Sequence, residues 1–160
     1  MKSLIKITFI TLFLGLSAFT FAQNAKYKCM LQMSNYKGLE AYVVVSLINP
    51  SGQYEKTLYM MGPDKQWYNG FKQWDKFNKK KKEKLSGITG ASVAAGDRSI
   101  TTFAIDQSKM NKGYKLRFES AVEDGQYHTS DVEIPLTTAG ITQKVDGKGY
   151  IRYVKLSKAQ

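Results

Sequence analysis

Three hydroxyls share one short stretch of small residues: Ser86, Thr89 and Ser92 in "SGITGAS", which runs on into Val93, Ala94, Ala95 and Gly96. Hydroxyls in so open a stretch can hold a modification or a ligand, which requires another molecule to approach them. Small neighbours and a permissive backbone allow that approach, and Gly87, Gly90 and Gly96 supply both. Directly before the stretch, residues 79–84 read "KKKKEK", a block of positive charge suited to an attached anion. The competing readings are plain ones: a turn serine at 92, and a solvated helix end for the lysines.

Other chemistry finds little to work with. His128 is the single histidine, so histidine-rich metal sites are absent, and no serine stands in a nucleophile-elbow context. On its strand, His128 is expected at the surface or an edge. "SNYK" (34–37) has the Ser-x-x-Lys spacing, a two-residue coincidence that recurs by chance. Asp97, Asp106, Glu119, Glu123 and Asp124 offer carboxylates whose spacing pairs no two of them. The lone cysteine, Cys29, cannot form an intramolecular disulfide. It alternates with Leu31 and Met33 as a strand does when it buries one face, which favours a core thiol. A soft-metal site built from Cys29, Met30 and Met33 is the alternative. Hydrolytic and metal chemistry are therefore poorly supported, which disfavours a hydrolase or a metalloenzyme.

The elements that must position the hydroxyl stretch begin after a leader. Lys2 and Lys6 open the chain, an apolar run follows, and Thr20-Phe21-Ala22 supplies small residues for cleavage. Residues 1–22 read as a secretory signal peptide cleaved after Ala22, too short for a membrane span. Residues 23–160 then form one domain, periplasmic or secreted. The whole chain carries a formal charge of +11. That charge favours anionic surfaces as partners, while no motif supports nucleic acid.

Most of this domain reads as short strands: 26–33, 40–48, 54–61, 99–105, 114–120, 127–136 and 149–156. Asn49-Pro50-Ser51-Gly52 and Asp124-Gly125 are turn signals between neighbours. In 114–120, Tyr114, Leu116 and Phe118 alternate with Lys115, Arg117 and Glu119, the pattern of a half-buried strand. About seven strands with regular turns predict a mainly β protein, an antiparallel sandwich. One segment differs. Trp67, Phe71, Trp74 and Asn78 fall at helical spacing, Asp64 can cap, and the lysines from Lys79 sit at the C-terminal end. A single amphipathic helix docking its aromatic stripe on the sandwich is expected.

Residues 86–92 resemble the flavin-attachment motif of extracytoplasmic flavoproteins, Asp-Gly-x-Ser/Thr-Gly-Ala-Thr. There a flavin transferase esterifies the phosphate of FMN onto the last hydroxyl. The resemblance makes Ser92 the acceptor, with Thr89, Gly90 and Ala91 before it. Ser86 stands where the motif has aspartate, and Ser92 where it has threonine. Trp67, Tyr68 or Trp74 would shield the isoalloxazine ring by stacking. Plain core packing is the other reading of these aromatics.

A broader resemblance surrounds the motif. "YVVVSLINPSGQYEKTLYM", "KQWYNGFKQWDKF", "ITGASVAAGDRSITTFAID" and "GYKLRFESAVEDGQY" resemble, in that order, a family of predicted periplasmic proteins, domain of unknown function 2271. Tyr42, Trp67, Trp74, Gly90, Ala91, Gly96, Glu119, Glu123 and Gly125 occupy matching places. Val93-Ala94 replace the family's usual Arg-Pro. The match runs from about 42 to 136 and leaves the tail outside. It implies an immunoglobulin-like β-sandwich. It also implies company with a flavin transferase and a PepSY-type membrane electron-transfer protein. The expectation is a periplasmic electron-transfer protein carrying covalent FMN on Ser92. The alternative is a cofactor-free binding or accessory module for a membrane redox or transport partner.

Overall fold

The structure is a computed structural model and describes residues 23–159. The signal-peptide assignment over 1–22 lies outside the described residues. Nine strands form two sheets. They are β1 (Asn24–Met33), β2 (Tyr42–Ile48), β3 (Tyr54–Met61), β4 (Thr89–Gly90), β5 (Arg98–Asp106), β6 (Lys115–Ala121), β7 (Tyr127–Pro135), β8 (Lys144–Asp146) and β9 (Ile151–Lys158). The order is β5-β1-β9-β8 in one sheet and β4-β3-β2-β6-β7 in the other. All pairings are antiparallel except the short β3–β4 pair. The expected sandwich of about seven strands is present, with β4 and β8 as two additions too short to show a period in the sequence.

The core between the sheets is assembled by alternation. Cys29, Leu31 and Met33 from β1 meet Val43, Val45 and Leu47 from β2, with Phe103, Phe118, Ile134 and Val154 from other strands. Facing rows of this kind are what a period of two places on one side of a strand. The hairpin at Asn49-Pro50-Ser51-Gly52 closes as its residues predict, with Gly52 at φ +78° and its N–H donating to the Asn49 carbonyl at 2.9 Å. A buried carboxylate fastens the far end of the chain. Asp131 of β7 accepts from the backbone N–H groups of Lys148 (2.8 Å), Gly149 (2.7 Å) and Ile151 (2.9 Å), and from the Ser120 hydroxyl (2.5 Å). These bonds seat the turn that leads into β9.

The inserted segment is two pieces, not one helix. Lys65–Gly70 forms a 3-10 turn capped by Asp64, whose carboxylate accepts from the Gln66 N–H at 3.1 Å. Phe71, with ψ +67°, breaks the path, and α1 (Lys72–Lys81) follows. Asn69-Gly70 favours a turn over continued helix, which explains the break. The break rotates Trp67 out of the stripe, so Tyr68, Phe71 and Trp74 are buried instead, and Trp67 is 38% exposed. The lysines do end the helix: Lys79, Lys80 and Lys81 fill the last turn, and Lys82 at φ +54° ends it.

This insertion covers the outer face of the five-stranded sheet and makes a second core from Val44, Met60, Tyr68, Phe71, Trp74 and Leu85. β6 is therefore not half-buried as its alternation suggested. Phe118 points between the sheets and Glu119 points under the insertion, both with no exposed surface. No helix among the described residues is long and apolar enough to cross a membrane.

Candidate functional site

The hydroxyl stretch is more constrained than its composition suggests. Leu85 enters the second core, and the Thr89 hydroxyl donates back to the Leu85 carbonyl at 2.9 Å. Thr89 and Gly90 then pair in parallel with Met60 and Met61. The Met60 N–H donates to the Ile88 carbonyl, and the Gly62 N–H to the Gly90 carbonyl, each at 2.8 Å. At Gly90 a Cβ would run into the Tyr59 hydroxyl, so any larger residue there must displace that side chain. Val93 bridges Ala41 through bonds of 2.9 and 3.0 Å. Between these two anchors, Ala91 is exposed and Ser92 half-buried; Ser86 is exposed before them. The stretch is thus an edge strand with a short open span rather than a free loop.

Ser92 donates its hydroxyl hydrogen to the Glu40 carboxylate. Its charged neighbour is an acid, and among the described residues no lysine of the 79–84 block bonds to it. Lys72 opens α1 and Lys81 ends it, roughly 13 Å apart along the axis. Beyond the block, Glu83 turns back to accept from the Thr57 N–H (3.0 Å) and hydroxyl (2.5 Å). The expected support of an attached anion by residues 79–84 has no counterpart in the contacts of Ser92.

Glu40 also lines a cleft of about 520 Å³. One wall is the 3-10 turn and the start of α1, through Trp67, Asn69, Gly70 and Lys72. The other is the β6–β7 turn, from Ala121 through Asp124 to Tyr127, with Leu39 and Tyr42 at the base of β2. Two of the three exposed large apolar side chains among the described residues, Leu39 and Trp67, belong to this cleft; Ile100 does not. Of the aromatics expected to shield a ring, Trp67 alone is placed to do so. Trp74 is fully buried, its indole N–H donating to the Thr57 hydroxyl at 2.9 Å, and Tyr68 is buried with its hydroxyl on the Gly62 carbonyl at 2.9 Å.

Behind the cleft lies a buried acid. Glu119 accepts from the Tyr54 hydroxyl at 2.7 Å and from the Tyr127 hydroxyl. Burial pushes its carboxyl up to about 7, against the pull of both hydroxyls and of Arg117. Tyr127 is pushed up to about 12, by burial first and then by its bond to Glu119. Tyr127 thus has one side in the cleft wall and its hydroxyl on a carboxylate beneath.

The remaining candidates are structural. Cys29 and Met33 lie in the inter-sheet core, whereas Met30 falls on the opposite face of β1, so the three do not converge on a metal. Burial pushes the Cys29 thiol up to about 12, which makes it inert. His128 lies on the edge strand β7, its ring 4.9 Å from that of Tyr150. The Ser34 hydroxyl donates to the Tyr150 carbonyl at 2.9 Å. Sequence reasoning missed Leu39, Glu40, Tyr42 and Tyr127 as a group. The one available signal was an apolar and acidic pair, Leu39-Glu40, lying just before a continuous apolar strand.

No curated protein and no solved structure matches the chain. A family model does, and it reaches further than the resemblance over 42–136 suggested, taking in all of β1 and the start of β9, the two central strands of the smaller sheet. The chain belongs to the family of predicted periplasmic proteins called domain of unknown function 2271, whose model matches residues 24–153.

Proposed function

We propose that the protein is a periplasmic binding module, accessory to a membrane redox or transport partner, and that the cleft between Trp67 and the β6–β7 turn is its working surface. The observation that carries this is the concentration of exposed apolar surface there: Leu39 and Trp67, in a cleft of about 520 Å³. That volume falls among small-molecule and side-chain sites. The test is amide chemical-shift mapping of the mature chain against a fragment panel of positive, neutral and negative charge. Shifts clustered at 39–42, 67–72 and 121–127 are expected. A panel that leaves these amides unmoved overturns the reading. Cleavage after Ala22 belongs to the same reading and is checked by the intact mass of the exported protein.

A second reading is favoured by one observation: the half-buried Ser92 hydroxyl shares Glu40 with the cleft. On this reading a flavin transferase esterifies FMN onto Ser92, the ring lies against Trp67, and a PepSY-type membrane protein exchanges electrons with it. The lysines at the end of α1 would then steer the module to an anionic surface. Co-expression with a flavin transferase, followed by intact mass and in-gel fluorescence, tests it. An unmodified mass beside a labelled control acceptor removes this reading, and a label that survives Ser92→Ala moves the site to Thr89 or Ser86.

A further inference from the structure

We infer that the cleft takes an organic cation, an ammonium or guanidinium group; the inference rests on the cleft being the working surface. The chain carries +11, yet the cleft is lined by Glu40, Glu123 and Asp124 against the single cation Lys72. None of the three acids takes part in an ion pair among the described residues. Glu40 accepts one bond, from Ser92. A basic protein has lysines available to neutralise such a rim, yet Lys72 alone lines it, and the densest run, Lys79 to Lys82, sits at the other end of α1. With a screening length of about 8 Å in physiological salt, a ligand in the cleft responds to the rim more than to distant lysines.

The walls agree with the charge. Trp67 offers an exposed indole, and Tyr42 and Tyr127 complete an aromatic lining. Aromatic faces attract cations, indole most of all. Tyr127 adds a specific feature, because its hydroxyl donates to the buried Glu119 carboxylate. That bond shifts electron density into the phenol ring and strengthens its attraction for a positive charge. An anion entering the same cleft would meet three carboxylates and gain only Lys72.

One ligand chemistry has two sources, a free amine or a lysine or arginine side chain on a partner protein. Calorimetry on the mature chain separates them. The probes are tetramethylammonium, butylguanidinium, the neutral isostere 3,3-dimethylbutan-1-ol, FMN as the anion, and a short lysine- and arginine-containing peptide with its acetylated control. The cations are expected to bind at least about tenfold more tightly than the neutral isostere. Their affinity should fall as salt rises from about 0.05 to about 0.5 M. Glu123→Gln with Asp124→Asn should weaken binding roughly fivefold, and Trp67→Ala by at least as much. Both variants change exposed side chains, so unchanged thermal unfolding serves as the folding control. Tighter binding of the basic peptide than of the small cations assigns the source to a partner side chain, and the reverse order assigns it to a free amine. Equal or tighter binding of the neutral isostere or of FMN overturns the cation and leaves the cleft standing. Binding by no probe overturns both.

Discussion

The two faces of β2 bury different kinds of surface. On one, Val43, Val45 and Leu47 enter an apolar core between the sheets. On the other, Val44 meets the aromatic insertion, and the same sheet face carries Glu119, Thr57 and the tyrosine hydroxyls of Tyr54 and Tyr127. The first face is held by non-directional burial, and any apolar side chain of similar volume would serve. The second is held by directed bonds whose partners are distant in sequence, such as the Trp74 indole on Thr57 and Thr57 on Glu83. Burial between sheets makes the domain. Burial beneath the insertion places the cleft wall, because Tyr127 and the start of α1 are both fixed there.

The largest expected effect lies in the first core. Phe118→Ala should cost about 3–5 kcal/mol in chemical unfolding, through lost burial and a cavity between close-packed strands. A cost below about 1 kcal/mol would show that this layer is loosely packed and would break the contrast.

Next comes the pH response of the second layer. The folded Glu119 carboxyl is raised to about 7, above the ordinary glutamate value of 4.5, chiefly by burial. The folded state therefore holds the proton more tightly than the unfolded chain. Its contribution is fully present below the unfolded value and is lost as pH rises through the folded one. Stability should decline between pH 4.5 and about 7 by an amount on the order of 3 kcal/mol. Glu119→Gln should flatten that slope, and a slope that persists in the variant would assign it to another group.

Trp74→Phe should cost about 2 kcal/mol, since it removes the indole bond to Thr57 together with part of a well-packed ring. The same substitution in a purely apolar layer would be milder, which sharpens the comparison. The smallest stability effect belongs to Trp67→Ala, within about 0.5 kcal/mol, because the side chain is partly exposed. That variant should instead lose binding at the cleft. A large stability loss there would return Trp67 to the packing stripe in which its spacing placed it.

Much of the fold was legible. Alternation at Cys29, Leu31 and Met33 and along 114–120, with β-branched and aromatic runs elsewhere, announced the strands, and the turn residues at 49–52 and 124–125 announced two of the connections. Two short strands were not legible, because Thr89–Gly90 and Lys144–Asp146 are too short to carry a period. The break at Phe71 was misread as continuous helix, since spacing alone cannot show how Asn69-Gly70 turns the chain. At the site, Ser92, Thr89, Gly90, Ala91 and Trp67 could be picked out, but their surroundings could not. The lysine block looked like the partner of the hydroxyl stretch because the two adjoin in sequence, yet the side chain that reaches Ser92 is Glu40.

By itself, the sequence determined the class of the protein: strands of period two, one aromatic insertion, one cysteine to bury and a strongly positive surface. Those follow from local pattern and composition, which each residue carries with it. Only the tertiary structure decided that Glu119 is sealed beneath the insertion, that Trp67 faces solvent while Trp74 does not, and that three acids line a cleft on a basic protein. Such facts depend on which strands become neighbours and on what covers the outer face of a sheet, and a long-range contact leaves no period in the chain that makes it.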